Sequence, residues 1–315
     1  MKNILVTGSL AYDYIMNFKE RFADHILPDK IHILNVSFGV DNLSKQLGGT
    51  AGNIAYNLAL LGEQPTIAAT AGKDFTEYAE WLQKNKITTD CIKILPEEYT
   101  ASAHIITDID DNQITSFHAG AMLGHNISLK EIIEKIKPEL AILAPDCKEG
   151  MIKHAQEFRE AGVPYIFDPG QGMPLFNKEE LIGMITGSKV AIFNDYELQL
   201  FRDRTGLSQE KVEDFTEYLI VTLGGKGSII YHNGKEYQIP TARPKNTSDP
   251  TGAGDAYRAG IIKGLLCKLP IEKIGKVAAL ASVYTVELYG TQTHKYTLAE
   301  FRKRYKDNFA QDLKL

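Results

Sequence analysis

The apolar residues of this chain come in two rhythms. Short unbroken runs recur at residues 3–6, 67–70, 140–144, 165–168, 190–193 and 219–223. Between and after them lie stretches that read as helices, at 54–61, 75–85, 130–136, 148–161, 256–267, 271–288 and 298–305. Apolar strands alternating with helices of this length predict an α/β fold, with a mostly parallel sheet covered by helices on both faces. A late hairpin is predicted at 227–232 and 236–239, around Asn233-Gly234. Three stretches break the rhythm. Residues 31–40, 101–109 and 114–118 have strand composition without following helices, and Asp110-Asp111-Asn112 reads as a hairpin turn between the last two. They predict a small sheet outside the main one. On this reading residues 1–13, 48–98 and 120–315 form an α/β core, and 14–47 and 99–119 a β lid inserted in it.

Composition adds mainly exclusions. The 315 residues are 43% hydrophobic and 24% charged, which suits a soluble α/β chain with a large core. The net charge is −5 and no long Lys/Arg block occurs, so a nucleic-acid partner is not expected. The apolar runs fall far short of a bilayer span, and the chain opens on a strand rather than a signal-peptide core. Cys91, Cys147 and Cys267 are widely spaced; they fit a reducing cytoplasm better than a disulfide framework or a zinc cluster. The expectation is a cytoplasmic protein acting on a small molecule.

The densest chemistry lies at Asp249-Pro250-Thr251-Gly252-Ala253-Gly254-Asp255, just before the apolar stretch at 256–267. A helix that begins in a glycine turn gathers unpaired N–H groups at its positive end. A carboxylate there repels an anion unless it serves to take a proton from a group attacking that anion. The bland alternative is a glycine loop before a core helix, with Asp255 as a cap. Similar polar or glycine-rich joints close other strands: Ser9 and Asp13, Gly48 to Asn53, Gln171, Asn194 to Glu197, and Gly224 to Gly227. Each alone reads equally well as a turn or a cap. Together they would lie on one rim of the sheet, where α/β proteins bind ligands. A P-loop is excluded because GxxxxGK[ST] is absent, and a dinucleotide fold because no GxGxxG follows the first strand.

Four segments carry a resemblance. DPTGAGDAYRAG and GGTAGNIAYNLALLG resemble the two signature motifs of the ribokinase-like (PfkB-type) sugar and nucleoside kinases. Asn194-Asp195-Tyr196-Glu197 is similar to their NxxE element, and Thr222-Leu223-Gly224-Gly225-Lys226-Gly227 to their nucleotide loop. The order is the family's, and nearly the whole chain is covered. GSLAYDYIMNF, SFGVDNL, SFHAGAM, FNDYE and ELYGTQ make it most similar to the bacterial, mycobacterial-type adenosine kinases.

The resemblance implies a three-layer α/β/α sandwich with a small β lid, and transfer of the ATP γ-phosphoryl group to a sugar hydroxyl. It makes Asp255 the base and the amides of Gly252, Ala253 and Gly254 an anion hole. Asn194 and Glu197 would hold Mg2+, largely through water, and Asn194, Thr222, Gly224 and Gly225 would line the ATP site. Ser9, Asp13, Gly49 and Asn53 would bind ribose, Phe117 would stack on a base, and Gln171 would touch substrate near it. The cofactors implied are ATP and Mg2+, with room for a monovalent cation such as K+. A homodimer through the lid is a further expectation. Asp255 is expected to need no raised pKa, because the helix end would keep it ionised. Two positions depart from the subgroup: Ala103, where a second aromatic is expected, and Gly172, where a glutamine is expected. Both loosen the case for adenosine. A sugar kinase of the same family, or a non-catalytic nucleoside-binding protein, are the competing readings.

Overall fold

Strands that are apolar along their whole length need cover on both faces, and the computed structural model gives it to them. It describes residues 2–27, 32–33, 35–110, 112–124 and 127–315. The larger sheet contains β1 (Ile4–Thr7), β4 (Pro65–Gly72), β5 (Ile92–Leu95), β8 (Leu140–Leu143), β9 (Tyr165–Phe167), β10 (Ser188–Asn194), β11 (Thr216–Thr222), β12 (Ser228–His232) and β13 (Lys235–Ile239). Their order is β13-β12-β11-β10-β9-β8-β1-β4-β5. All neighbours are parallel except β11-β12 and β12-β13, the predicted late hairpin. One apolar cluster fills the side where helices Thr50–Leu60, Ala253–Leu266 and Ile271–Val286 pack. The other fills the side of helices Lys148–Glu160, Lys178–Ile185 and Asp195–Thr205.

The smaller sheet contains β2 (Ala11–Asn17), β3 (Asn42–Gly48), β6 (Ala101–Thr107) and β7 (Gln113–His118), in the order β3-β2-β6-β7. The strand expected at 31–40 is a correction. Residues 35–41 are irregular and the strand is Asn42–Gly48; Ile31 and Leu34 lie outside the described residues, as does Asp111 of the expected turn. The reason is polarity. β3 turns Asn42, Ser44 and Gln46 toward a cleft and Leu43, Lys45 and Leu47 away from it, so its apolar residues do not mark a core-facing side. The helix expected at 54–61 likewise begins earlier, at Thr50, inside the glycine run.

Two passages join the sheets side by side. Only Gly8, Ser9 and Leu10 separate β1 from β2, and only Gly49 separates β3 from helix Thr50–Leu60. Gly49 has φ +84°, and a Cβ there would lie 2.5 Å from the Ser9 carbonyl oxygen and 2.6 Å from the Ala11 nitrogen. Only glycine lets these two backbones touch.

Candidate active site

Parallel strands bring their carboxyl ends to one edge. Thr7 of β1 is level with Leu143 of β8, Leu143 with Phe167 of β9, and Asn194 of β10 with Thr222 of β11. The polar joints flagged by the sequence follow these ends and so share a rim.

Helix Ala253–Leu266 starts there. Gly252 precedes it in the left-handed region, at φ +77°, and a side chain in its place would strike Thr291. The Ala253 N–H donates to the Pro250 carbonyl at 3.2 Å, which tempers its expected role as an open donor. Among the described residues no acceptor is seen for the N–H groups of Gly252 and Gly254. Asp255 is half-buried in the first turn and accepts from Asn53 Nδ2 at 2.8 Å. Burial pushes its carboxyl up to about 6, and the positive charge of Arg258 and the Asn53 bond only partly oppose this. The expectation of an unshifted Asp255 is thereby corrected: desolvation outweighs the helix end.

Asn53 is buried at the start of helix Thr50–Leu60. Its Oδ1 lies 2.7 Å from Thr291 Oγ1 and accepts from Gln292 Nε2 at 3.1 Å. Asp13 lies across the cleft on β2. Burial first, and then the charge of Asp249, raise it to about 6. Asp249 accepts from the N–H groups of Thr251 and Gly290. Asp13, Asp249, Thr251, Tyr289 and Thr291 all line one cleft of about 1010 Å³ between the small sheet and the rim.

Strand register carries the site outward from Asp13. Gln46 and Ala103 flank Asp13 directly, and Phe117 pairs with Ala103. Directly paired residues point to one face, so Gln46, Asp13, Ala103 and Phe117 form a single row. Phe117 is 54% exposed in that row, with only the small Ala103 between it and the carboxylate.

Ser9 stands at the rim, but its hydroxyl accepts from the Thr50 N–H at 3.2 Å and it does not line the cleft. Gln171 is exposed in the turn Gly170–Leu175 beyond β9, and among the described residues no side-chain hydrogen bond is seen for it. Asn194 and Glu197 form a capping box at the head of helix Asp195–Thr205. Asn194 Oδ1 accepts from the Glu197 N–H at 2.7 Å, and Glu197 Oε2 from the Asn194 N–H at 2.8 Å. Burial, and then the charge of Asp168, raise Glu197 above the usual carboxylate range. Thr222 sits beside Asn194, and the Gly224–Lys226 turn follows. Gly224 has φ +56°, and a side chain at Gly224 or Gly225 would meet nothing within 4 Å, so the turn presents bare, open backbone.

Sequence reasoning missed the pair beneath the glycine turn. Arg258 donates from Nε and Nη2 to the two carboxylate oxygens of Asp168, and both residues are buried. Arg258 is three residues beyond Asp255 and faces Glu197 as well. The available signal was charge in a largely apolar run, since Arg258 and Lys263 both fall within 256–267. Asp249, Thr291 and Gln292 were also without a role, although Asp249 heads the glycine motif and Thr291-Gln292 close the segment ELYGTQ.

A half-buried carboxylate at a helix end and an open glycine turn on the same rim suit a phosphotransferase with a hydroxyl acceptor. Comparison with known proteins agrees. Residues 1–297 match the pfkB family of carbohydrate kinases. The chain belongs to that family, and its fold is the ribokinase-like one. It is 37% identical to the nucleoside kinase of Burkholderia thailandensis, solved with inosine, with a TM-score of 0.89 over 98% of this chain and 100% of that one. The same protein solved with ADP and inosine is similar at a TM-score of 0.86, over 99% of this chain and 97% of that one, with 40% identity. The nucleoside kinase of Methanocaldococcus jannaschii is 32% identical over 93% of both chains.

Proposed function

We propose that the protein is an ATP-dependent nucleoside kinase that phosphorylates the ribose 5′-hydroxyl. The observation that carries this reading is the row Gln46, Asp13, Ala103, Phe117. It sets a hydroxyl-binding carboxylate and a flat aromatic surface on one face, at a spacing that suits a ribose bearing a base. A free sugar has no use for Phe117. The resemblance to two nucleoside kinases supports the same acceptor class. Ala103 leaves the base without a second aromatic on this row, which favours a range of purine nucleosides over adenosine alone.

In this reading Asp255 takes the proton of the 5′-hydroxyl as it attacks. The Gly252 and Gly254 amides stabilise charge on the transferring group from the helix end. Asp13 and Asn53 orient the ribose. Bound Mg-ATP supplies the phosphoryl group and neutralises part of its charge. The residues fit such a ligand. The bare turn at Gly224–Gly225 admits phosphate to backbone, and the cap uses only one carboxylate oxygen of Glu197. No cluster of three metal-ligating side chains occurs among the described residues, so Mg2+ would draw its ligands mostly from phosphate and water, with Glu197 behind them. The small sheet would close over the cleft and exclude water.

An ADP-release assay over adenosine, inosine, guanosine, cytidine, ribose and fructose tests the reading. Nucleosides should give kcat/KM at least tenfold above either free sugar. Ribose as the best acceptor would overturn it in favour of a sugar kinase, and turnover of none would favour a non-catalytic binding protein.

A further inference from the structure

Asp255 is held by one neutral hydrogen bond, from the Asn53 amide, and an amide can present either end. Presenting Nδ2 to the carboxylate favours its charged form; presenting Oδ1 would oppose it. What decides between them lies behind Asn53. Thr291 cannot decide. Its hydroxyl lies 2.7 Å from Asn53 Oδ1 and 2.9 Å from the Leu47 carbonyl; it can donate to an Asn53 oxygen or, while donating to the Leu47 carbonyl, accept from an Asn53 nitrogen. Gln292 can decide only if it is itself fixed. Its Nε2 lies 3.1 Å from Asn53 Oδ1 and 2.6 Å from the Tyr78 hydroxyl, which in turn donates to the Gly48 carbonyl at 2.7 Å. Its Oε1 accepts from Trp81 Nε1 at 3.1 Å.

An indole N–H donates and never accepts. It therefore fixes the Gln292 carbonyl toward Trp81 and the Gln292 amide nitrogen toward Asn53. That places Asn53 Oδ1 inward and Nδ2 on Asp255. Asn53, Tyr78 and Gln292 are all at most 5% exposed, so water does not compete for these bonds. Gly52 keeps the passage open, since a Cβ there would lie 1.8 Å from the Tyr78 hydroxyl and 3.1 Å from Gln292 Nε2.

We propose that Trp81 and Gln292 are positioning residues: a one-way relay of hydrogen bonds from the only tryptophan, through Gln292 and Asn53, presents a donor to the Asp255 carboxylate. The kinetic consequence rests on Asp255 being the base; the geometry of the relay does not. Other charged or titratable groups face Asp255 too: Arg258 on its own helix, Asp168 beyond β9, Asp13 on β2 and Tyr78 on helix Thr76–Lys84. None of these is altered by the variants below.

The test follows the Asp255 carboxyl directly, by ¹³C NMR of aspartate-labelled protein with Asp255→Asn for assignment. Trp81→Phe keeps a ring against Tyr56 and removes the N–H; Gln292→Met keeps volume and removes the amide. Both should raise the Asp255 midpoint by roughly 0.5–1 unit, a change of about three- to tenfold in proton affinity, and move the acid limb of kcat by the same amount. Tyr56→Phe, which keeps its ring against Trp81 and loses only a bond to the His294 carbonyl, should leave the midpoint unchanged. An unmoved midpoint in both relay variants overturns the proposal, as does an equal shift in Tyr56→Phe, which would mean general loosening. Because the titration needs no turnover, it decides this point even if no tested nucleoside is phosphorylated.

Discussion

At the scale of single residues, two carboxylates of the candidate site are raised to about 6, and their proposed roles separate by position. Asp255 sits at a helix end beside open amides; Asp13 faces the row that carries Phe117. Asp255→Asn should lower kcat on the order of a hundredfold, about 3 kcal/mol of transition-state stabilisation, while acceptor binding measured by calorimetry survives. Near-normal turnover would remove Asp255 as the base. The shift of Asp13 also sets a stability trend. Its folded value lies above the unfolded 3.8, so its contribution is full below about pH 4 and is lost as pH rises through about 6. Asp13→Asn cannot ionise. It should be more stable than the parent at pH 7, on the order of 1–3 kcal/mol in urea melts, with the gap closing near pH 4, while its KM for acceptor rises. A gap that does not change with pH would contradict the burial of this carboxylate.

At the scale of elements, the NxxE segment serves two masters. Its side chains cap a helix through reciprocal bonds, and the same Glu197 faces the Asp168–Arg258 pair. Glu197→Gln can still accept the Asn194 N–H. Its melting temperature should stay close to the parent's, while kcat falls and the Mg2+ concentration for half-maximal rate rises. A fall in stability with unchanged kinetics would reduce the segment to a cap. Arg258→Met leaves Asp168 buried without its partner and should cost about 3–5 kcal/mol in denaturant melts.

The parallel strands were legible in the sequence because burial on both faces leaves unbroken apolar runs, as at Leu140–Leu143 and at 219–221 within Thr216–Thr222. Asn42–Gly48 was not, because a strand facing a polar cleft carries asparagine, serine and glutamine where a core-facing strand carries valine or leucine. Of the site, the glycine turns and Asp255 could be read locally. Arg258 with Asp168, and Gln292 with Asn53, could not, since residues 90 and 239 positions apart meet only through the fold.

At the scale of the whole molecule, the small sheet has an outer face as well as a cleft face. Leu43, Met16, Ile106 and Ile114 form an apolar row on it, with Leu43 67% and Ile114 40% exposed. This row suits the proposed homodimer through the lid. Light scattering should then report a dimer that Ile114→Lys converts to a monomer with its melting profile intact; a monomeric parent protein would sink the proposal. The two adjoining passages at Ser9 and Gly49 have a mechanical consequence. If the small sheet closes as proposed, they would act as a fulcrum and β2 as a lever reaching out from it. Asp13 is two residues along that lever and Asn17 six, about 7 Å and about 20 Å. A swing of about 10° would carry the tip roughly 3.5 Å but Asp13 only about 1 Å. In such a swing the groups proposed to choose the acceptor would stay nearly still while the far end swept, so alterations at the tip should retune how fast the cleft opens and leave intact which molecule it prefers.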